Sequence, residues 1–375
     1  MTPFSMFTID FDTIPLDAFR ELPAEVRSEA FFRVNELTNA YVDARARDIL
    51  VTMGAGSLSP EAALSVVPGL SADRVAAWQW LAKKVARRAD PSSIANSREL
   101  RETILAEFPS LSPTLDLIDV AAQGYPDFLR GSRDGNSILF DPAFPTLWDE
   151  YFDNENPLYA AGNTLASHTV GEEFSGRTQT SKLKVFEAGA GCGSAAQALL
   201  DRVADRVGSY TLSDISPGFL RKARAGLSRH PASGNIHFGY KLLDLNRPSE
   251  RWGVEAQSFD LVYAVNVLHA VRDLVETLRG LRRLLVEKGV LVMGECVRPA
   301  RGHPVHPEFV FQLLEEFRNV VLDPELRPEP GFLDARSWRA SLQSAGFQRV
   351  RFVPEFEAAV AAYPEHSLVT IVAEG

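Results

Sequence analysis

Short β-rich runs alternate with helical stretches over the second half of the chain, and this alternation is the strongest constraint on its fold. Alternating strands and helices form βαβ units, and a parallel strand covered on both faces is apolar throughout. The pattern therefore predicts an α/β fold with a largely parallel sheet. The runs are KVFEAGAG (184–191), SYTLSD (209–214), HFGYKLLDL (237–245), FDLVYAVNVL (259–268) and GVLVMGE (289–295).

Two further β-rich runs, at residues 347–357 and 367–375, are close enough in sequence to pair as an antiparallel hairpin at the end of the sheet. Between them and the fifth run lies a stretch near 299–331 that is rich in proline and carries two histidines. We interpret it as an insertion over the site, with one amphipathic helix at 307–321.

The first part of the chain has a helical pattern, with apolar residues three and four apart from Ala24 to about Leu165. Ser59 and Ser71 suit N-cap positions, which predicts a helix-turn-helix or winged-helix-like module near 31–90. The polar stretch 171–184 is the predicted linker. The expected domains are a mainly helical N-terminal domain, 1–170, and an α/β domain, 181–375.

The composition is that of a globular protein with a net charge of −10, from 39 basic and 49 acidic residues. This charge argues against general affinity for nucleic acid or for anionic membranes, and the basic cluster at 82–88 is expected to be a solvated helix face. No stretch predicts a membrane span or an export signal, so we expect a cytoplasmic protein. Cys192 and Cys296 lack metal-ligand spacing and are expected to be reduced.

A glycine-rich loop follows the first β-rich run and precedes a helix. Glycines at such a place let the backbone turn sharply and approach a ligand. A dinucleotide fingerprint requires a third glycine where this chain has Ser194. The spacing E-x-G-x-G-x-G is instead that of S-adenosylmethionine (SAM) sites in Rossmann-like methyltransferases. The expected cofactor residues here are Glu187, Gly189, Gly191 and Gly193.

Acidic residues end the next two runs, at the sheet edge where such folds bind ligands. Asp214 is placed to accept both ribose hydroxyls, and Asp244 to accept from an adenine amino group. Each could instead be a helix N-cap or a surface acid. Ile215, Leu245 and Asn266 are expected to line the same crevice.

The motifs YTLSDISPGFLRKAR, LLDLNRPSE and FDLVYAVNVLHAVRDLVETLRGLRRLL resemble the SAM-dependent C-methyltransferase domains of polyketide synthases. The likeness includes 129–152, similar to the lid segment of those domains, and covers about 95–300. It implies a class I, Rossmann-like sheet, parallel with an antiparallel last strand, behind a helical lid domain. It also implies SAM as the cofactor and S-adenosylhomocysteine (SAH) as its product. No ketosynthase, reductase or carrier motif accompanies these residues, which favours a free-standing enzyme.

His269 and Glu295 are the predicted catalytic pair. They are expected to end the fourth and fifth strands, which a right-handed crossover makes parallel neighbours about 4.8 Å apart. A glutamate bound to one ring nitrogen fixes the tautomer and raises the basicity of the other nitrogen. The resemblance also implies such a dyad.

The predicted reaction is methylation of the α-carbon of a β-ketoacyl substrate, polyketide-like and free or carrier-bound, in secondary metabolism. Tyr159 or Asn163 could donate to the enolate oxygen, although helix capping or packing explains them equally well. One alternative is O-methylation of a hydroxyl or enol of a small natural product. Another is a non-catalytic partner protein with a SAM-binding fold.

Further expectations concern partners and metals. A polyketide synthase or an acyl carrier protein is the expected macromolecular partner, and a homodimer through the helical domain is a further expectation. His303 and His306 lack a third ligand within reach, so we predict a loop there and no metal.

Overall fold

A seven-stranded sheet organises the second half of the computed structural model, which describes residues 13–55, 70, 72–88, 94–176 and 181–375. The spatial order of the strands is β3-β2-β1-β4-β5-β7-β6. The first five strands are parallel, and β7 runs antiparallel between β5 and β6. The strands are β1 Leu183–Ala188, β2 Val207–Asp214, β3 His237–Leu242, β4 Phe259–Val265, β5 Leu285–Cys296, β6 Gln348–Val353 and β7 Leu368–Glu374.

The strand order reverses between β1 and β4, so a crevice opens where the carboxyl ends of these two strands diverge. The predicted neighbours β4 and β5 do pair in parallel, with Val265 opposite Gly294. The predicted terminal hairpin also forms, because β6 and β7 pair in antiparallel fashion. The sheet prediction is therefore confirmed.

Helices cover both faces of the sheet, and two apolar cores, one on each side, exclude water from it. Side-chain caps begin several of these helices, as when Ser216 accepts from the backbone N–H of Phe219 and Asp273 accepts from that of Glu276. The helices after β1 are α8 Ser194–Val203, α9 Pro217–Leu227, α10 Leu274–Leu284, α11 Glu308–Phe311, α12 Glu315–Arg318, α13 Ala335–Ser344 and α14 Phe356–Ala362.

The chain before β1 is helical in its described part and has its own apolar core. Ala72–Ala86 is a helix as predicted, but Ser59 and Ser71, the two predicted caps, lie outside the described residues. The winged-helix-like module therefore stays a prediction, as do the domain boundaries. The helices are α1 Glu29–Thr52, α2 Ala72–Ala86, α3 Ser97–Glu107, α4 Ser112–Arg130, α5 Gly135–Leu139, α6 Leu147–Tyr151 and α7 Pro157–Ser175.

Two predicted segments differ from the structure. Residues 171–175 of the predicted linker belong to α7, because Phe174 is buried in the core and extends the helix to Ser175. The single amphipathic helix predicted at 307–321 is instead the two short helices α11 and α12. Leu314 between them is extended, with ψ of 132°.

The insertion between β5 and α13 packs on the helical region as well as on the sheet. Tyr125 of α4 donates a hydrogen bond to the carbonyl of Phe309 over 2.6 Å. Trp80 of α2 donates its indole N–H to Glu308 over 2.8 Å, and Glu308 is fully buried. Of the helices described, none is long and apolar enough to span a membrane.

Candidate active site

The glycine loop between β1 and α8 forms the floor of the crevice, and its three glycines have left-handed backbone conformations. A Cβ on Gly189 would lie 2.3 Å from Val267, so only glycine lets the turn after β4 pack against the loop. A Cβ on Gly191 would have no neighbour within 4 Å. The crevice is therefore open at Gly191, where a ligand can approach the backbone.

Asp214 is the last residue of β2 and lies beside the loop, as predicted. One carboxylate oxygen accepts from the Gly191 N–H over 2.9 Å and the other from the Ser216 N–H over 2.8 Å. Burial raises the pKa of Asp214, while these backbone donors oppose the shift. The side chain of the next residue, Ile215, is 65% exposed. Ile215 is therefore open to solvent, whereas the Asp214 carboxylate is buried beside the loop.

The remaining predicted cofactor residues follow β3 and β4. Asp244 lies two residues beyond the end of β3 and accepts from the Asn246 N–H over 2.9 Å, in a turn that also carries Leu245. Asn266 directly follows β4, is exposed, and has a φ of +56°, which turns the chain away from the strand. Its backbone N–H donates to the Gly294 carbonyl over 2.8 Å.

Glu187 in β1 is buried, and burial raises its pKa to about 8. The donors and acceptors around the crevice fit SAM on chemical grounds. A carboxylate at the end of β2 suits ribose hydroxyls, and the open backbone at Gly191 admits the body of a ligand. The assignment of these residues to SAM is a prediction.

The predicted catalytic pair is in direct contact. His269 Nδ1 and Glu295 Oε2 are 2.6 Å apart, and Glu295 Oε1 accepts from the Leu268 N–H over 2.9 Å. Both side chains are buried. The prediction that His269 ends β4 was wrong. The strand already ends at Val265, and His269 lies in the 3₁₀ turn Leu268–Ala270 that follows it.

A cavity of about 280 Å³ extends from this pair toward the helical region. Tyr159 lines it, and burial raises the pKa of the phenol above its ordinary range, so the phenol keeps its proton. Asn163 is not among the lining residues; its amide nitrogen donates to Asn154 over 2.8 Å. Phe31 and Ile118 bring α1 and α4 to the wall of the cavity. Both halves of the chain therefore build the cavity.

Aromatic rings of the insertion surround His269 and were not predicted. The ring centroid of His269 lies 4.5 Å from that of Phe332, 5.9 Å from Phe317 and 6.2 Å from Phe311. The only sequence signal for them is the recurrence of phenylalanine in the insertion. These rings keep water from the imidazole on one side.

The segment 147–156 covers the glycine loop. Asn154 donates to the Ser194 carbonyl over 2.9 Å, and Ser194 donates to the Phe152 carbonyl. Lys222 of α9 binds Asp149 of α6. Residues 147–152 of this segment belong to the stretch 129–152, whose sequence resembles a lid.

Among the described residues there is no group of three or more His, Cys, Asp or Glu side chains that could hold a metal. His303 instead lies 3.3 Å from Glu365. His306 is half-buried and lines the cavity, where loss of solvation lowers its pKa to about 3. It is therefore neutral.

Comparison with known proteins agrees with this geometry. Residues 186–291 match a family profile described as a methyltransferase domain. The chain contains a methyltransferase domain. The non-reducing polyketide synthase dpmpA of Macrophomina phaseolina (strain MS6) is 32% identical over 269 residues. Those residues are 70% of this chain and 12% of that synthase, so the chain spans a small part of its curated relative.

Two solved structures share the fold over most of the chain. The CurJ carbon methyltransferase is 24% identical, with a TM-score of 0.71 over 96% of this chain and 95% of its own. The trans-methyltransferase CalH, solved with SAH, is 21% identical, with a TM-score of 0.61 over 90% of this chain and 89% of its own. The predicted methyltransferase class and its Rossmann-like fold behind a helical region are confirmed.

Proposed function

We propose that this methyltransferase transfers a methyl group from SAM to the α-carbon of a β-ketoacyl substrate, with His269 as the general base. The 2.6 Å contact between His269 Nδ1 and Glu295 Oε2 at the wall of the cavity carries this proposal. The names of similar proteins support the acceptor class, since one is a polyketide synthase and another a carbon methyltransferase.

Glu295 orients the base. Its carboxylate accepts the Nδ1–H of neutral His269 and is itself fixed by the Leu268 N–H. This leaves Nε2 with a free lone pair, which can remove a proton from an α-carbon. As the imidazolium forms, the buried carboxylate stabilises its positive charge.

SAM supplies an electrophilic methyl group, so the protein needs only to align the acceptor and remove one proton. We assign binding of SAM to the glycine loop, Asp214, Asp244 and Asn266. The open space at Gly191 and the Asp214 carboxylate beside it support this assignment. So does CalH, a protein of the same fold that was solved with SAH.

Loss of the α-proton leaves an enolate, whose oxygen requires a hydrogen-bond donor. Tyr159 is the stronger of the two predicted donors, since it lines the cavity and its phenol stays protonated. Asn163 uses its amide N–H on Asn154. The apolar wall suits the hydrocarbon part of an acyl group, and a carrier protein is the proposed source of that group.

The decisive experiment compares His269→Ala and Glu295→Gln with His237→Ala, a control on an exposed histidine of β3. Each enzyme is incubated with labelled SAM and β-ketoacyl thioesters, free and carrier-bound. We expect the two dyad variants to lose turnover by about 10²-fold or more while SAM affinity, measured by calorimetry, is unchanged.

Three results would contradict the proposal. A near-native rate for His269→Ala would exclude the base. A methoxy signal in the product NMR spectrum would show an oxygen acceptor. Absence of SAM binding in the unsubstituted protein would indicate a non-catalytic partner.

A further inference from the structure

A tight turn in the insertion, Asp323–Arg327, directs the side chain of Arg327 toward the 3₁₀ turn that carries His269. Asp323 accepts the backbone N–H groups of Glu325 and Leu326 over 2.8 and 2.9 Å, which closes the turn. The backbones of Asp323 and Arg327 exchange two hydrogen bonds of 2.9 Å. These contacts fix the direction in which Arg327 leaves its turn.

The guanidinium of Arg327 binds the backbone of the catalytic turn and of the residue that follows it. It donates to the Val271 carbonyl over 2.7 Å and to the His269 carbonyl. The residue is 2% exposed. One rigid side chain therefore fixes the backbone that carries the imidazole.

Arg327 has no carboxylate within 4 Å in the described part of the chain, whereas the nearby Arg298 binds both Glu308 and Glu329. An arginine buried without an ion pair is costly, so its charge must be offset at longer range. Glu295 is the largest favourable charge acting on it. Among the described residues, the ionisable groups that line the cavity with His269 are Tyr151, Tyr159, Cys296, His306 and Glu316, and Arg298 and Asp273 also act on Arg327.

We propose that Arg327 is a positioning residue for the His269 base, whose charge also offsets that of Glu295 so that the imidazole is unprotonated at neutral pH. The inference rests on the proposed function, since it assumes that His269 is the base. A lone buried carboxylate beside an imidazole would favour the imidazolium, which cannot accept a proton. A fixed positive charge beside the pair removes that bias while the carboxylate still sets the tautomer.

The test is the pH dependence of kcat/KM for Arg327→Met and Arg327→Lys, from about pH 6 to about pH 9.5. Arg301→Met is the matched control, since Arg301 is an exposed arginine of the same insertion. We expect Arg327→Met to move the acidic limb of the kcat/KM profile upward by about one pH unit. The deficit should therefore approach about tenfold at pH values below both limbs and disappear at high pH. Arg327→Lys keeps the positive charge, so its acidic limb should lie close to that of the unsubstituted enzyme.

A purely structural role predicts a different outcome. If Arg327→Met lowers kcat/KM equally at every pH, or if Arg327→Lys has the same profile as Arg327→Met, the electrostatic role is excluded. Should Arg327→Met fail to fold, an Arg327→Lys profile identical to that of the unsubstituted enzyme supports the proposal, and a uniformly lowered one overturns it. The rate of His269→Ala distinguishes failure of the proposed function from failure of the Arg327 proposal. Full activity in that variant would show that His269 is not the base, whatever the pH profiles of the Arg327 variants.

Discussion

Replacing Gly191 by alanine tests the cofactor crevice most directly. The backbone at Gly191 has a φ of +51°, and a Cβ there would have no neighbour within 4 Å. The folded protein therefore bears only the conformational cost of a left-handed alanine, about 1–2 kcal/mol. The added methyl group projects into the open crevice that we assign to SAM.

We expect Gly191→Ala to weaken SAM binding at least about tenfold, or about 1.4 kcal/mol, because the methyl group takes space that the ligand needs. Gly302→Ala is a closely matched control. Gly302 has a φ of +72°, and its Cβ would also have no neighbour within 4 Å, but it lies in the insertion. Both variants should lose similar stability, and only one should lose affinity.

Calorimetric titration with SAM gives the affinities, and urea denaturation of the ligand-free proteins gives the free energies of unfolding. Native affinity in Gly191→Ala would refute the placement of SAM over this glycine. An equal loss of affinity in Gly302→Ala would show that general destabilisation, not contact, lowers the affinity.

Three further outcomes are expected. Asp214→Asn should lower SAM affinity about tenfold in calorimetry by removing a charged acceptor, and unchanged affinity would exclude a ribose contact. Burial raises the pKa of Glu187 to about 8 from 4.5, so the unfolded chain loses this proton first and the free energy of unfolding should fall as pH rises between these values. Glu187→Gln should remove this dependence of the free energy of unfolding on pH, which is at most about 1.4 kcal/mol per pH unit. Urea denaturation of the ligand-free protein measures it, and an unchanged slope in the variant would contradict the raised pKa of Glu187. Trp80→Phe should cost about 1–2 kcal/mol in denaturation by leaving buried Glu308 without one donor, and no loss would show that the bond is dispensable.

The features that sequence predicts well follow from periodicity and connection rules. Buried parallel strands are apolar along their whole length, and a right-handed crossover makes β4 and β5 neighbours, so the meeting of His269 with Glu295 could be anticipated. The prediction that His269 is the last residue of β4 was wrong, because His269 lies in the turn after the strand. Asn266 adopts a left-handed conformation that ends β4 early, and a single sequence gives little sign of it.

The contacts that sequence did not predict are those between segments far apart in the chain. Trp80 and Glu308 are 228 residues apart, and neither has a local pattern that indicates its partner. Nothing in the local sequence distinguishes Arg327 from an ordinary surface arginine. It is buried because the turn at Asp323 directs its side chain inward. Such partners are selected by packing, which no local periodicity encodes.

The insertion explains why the base and the cavity depend on the whole chain. One side of it packs on the helical core through Phe309, and the other places Phe332 on the imidazole and Arg327 on the catalytic turn. Water excluded by the rings would otherwise screen both Glu295 and Arg327, so their opposing effects on His269 are strong only while the insertion is seated. A displacement of the helical region that breaks the packing of the insertion would therefore change the basicity of His269, even with the contact between His269 and Glu295 intact.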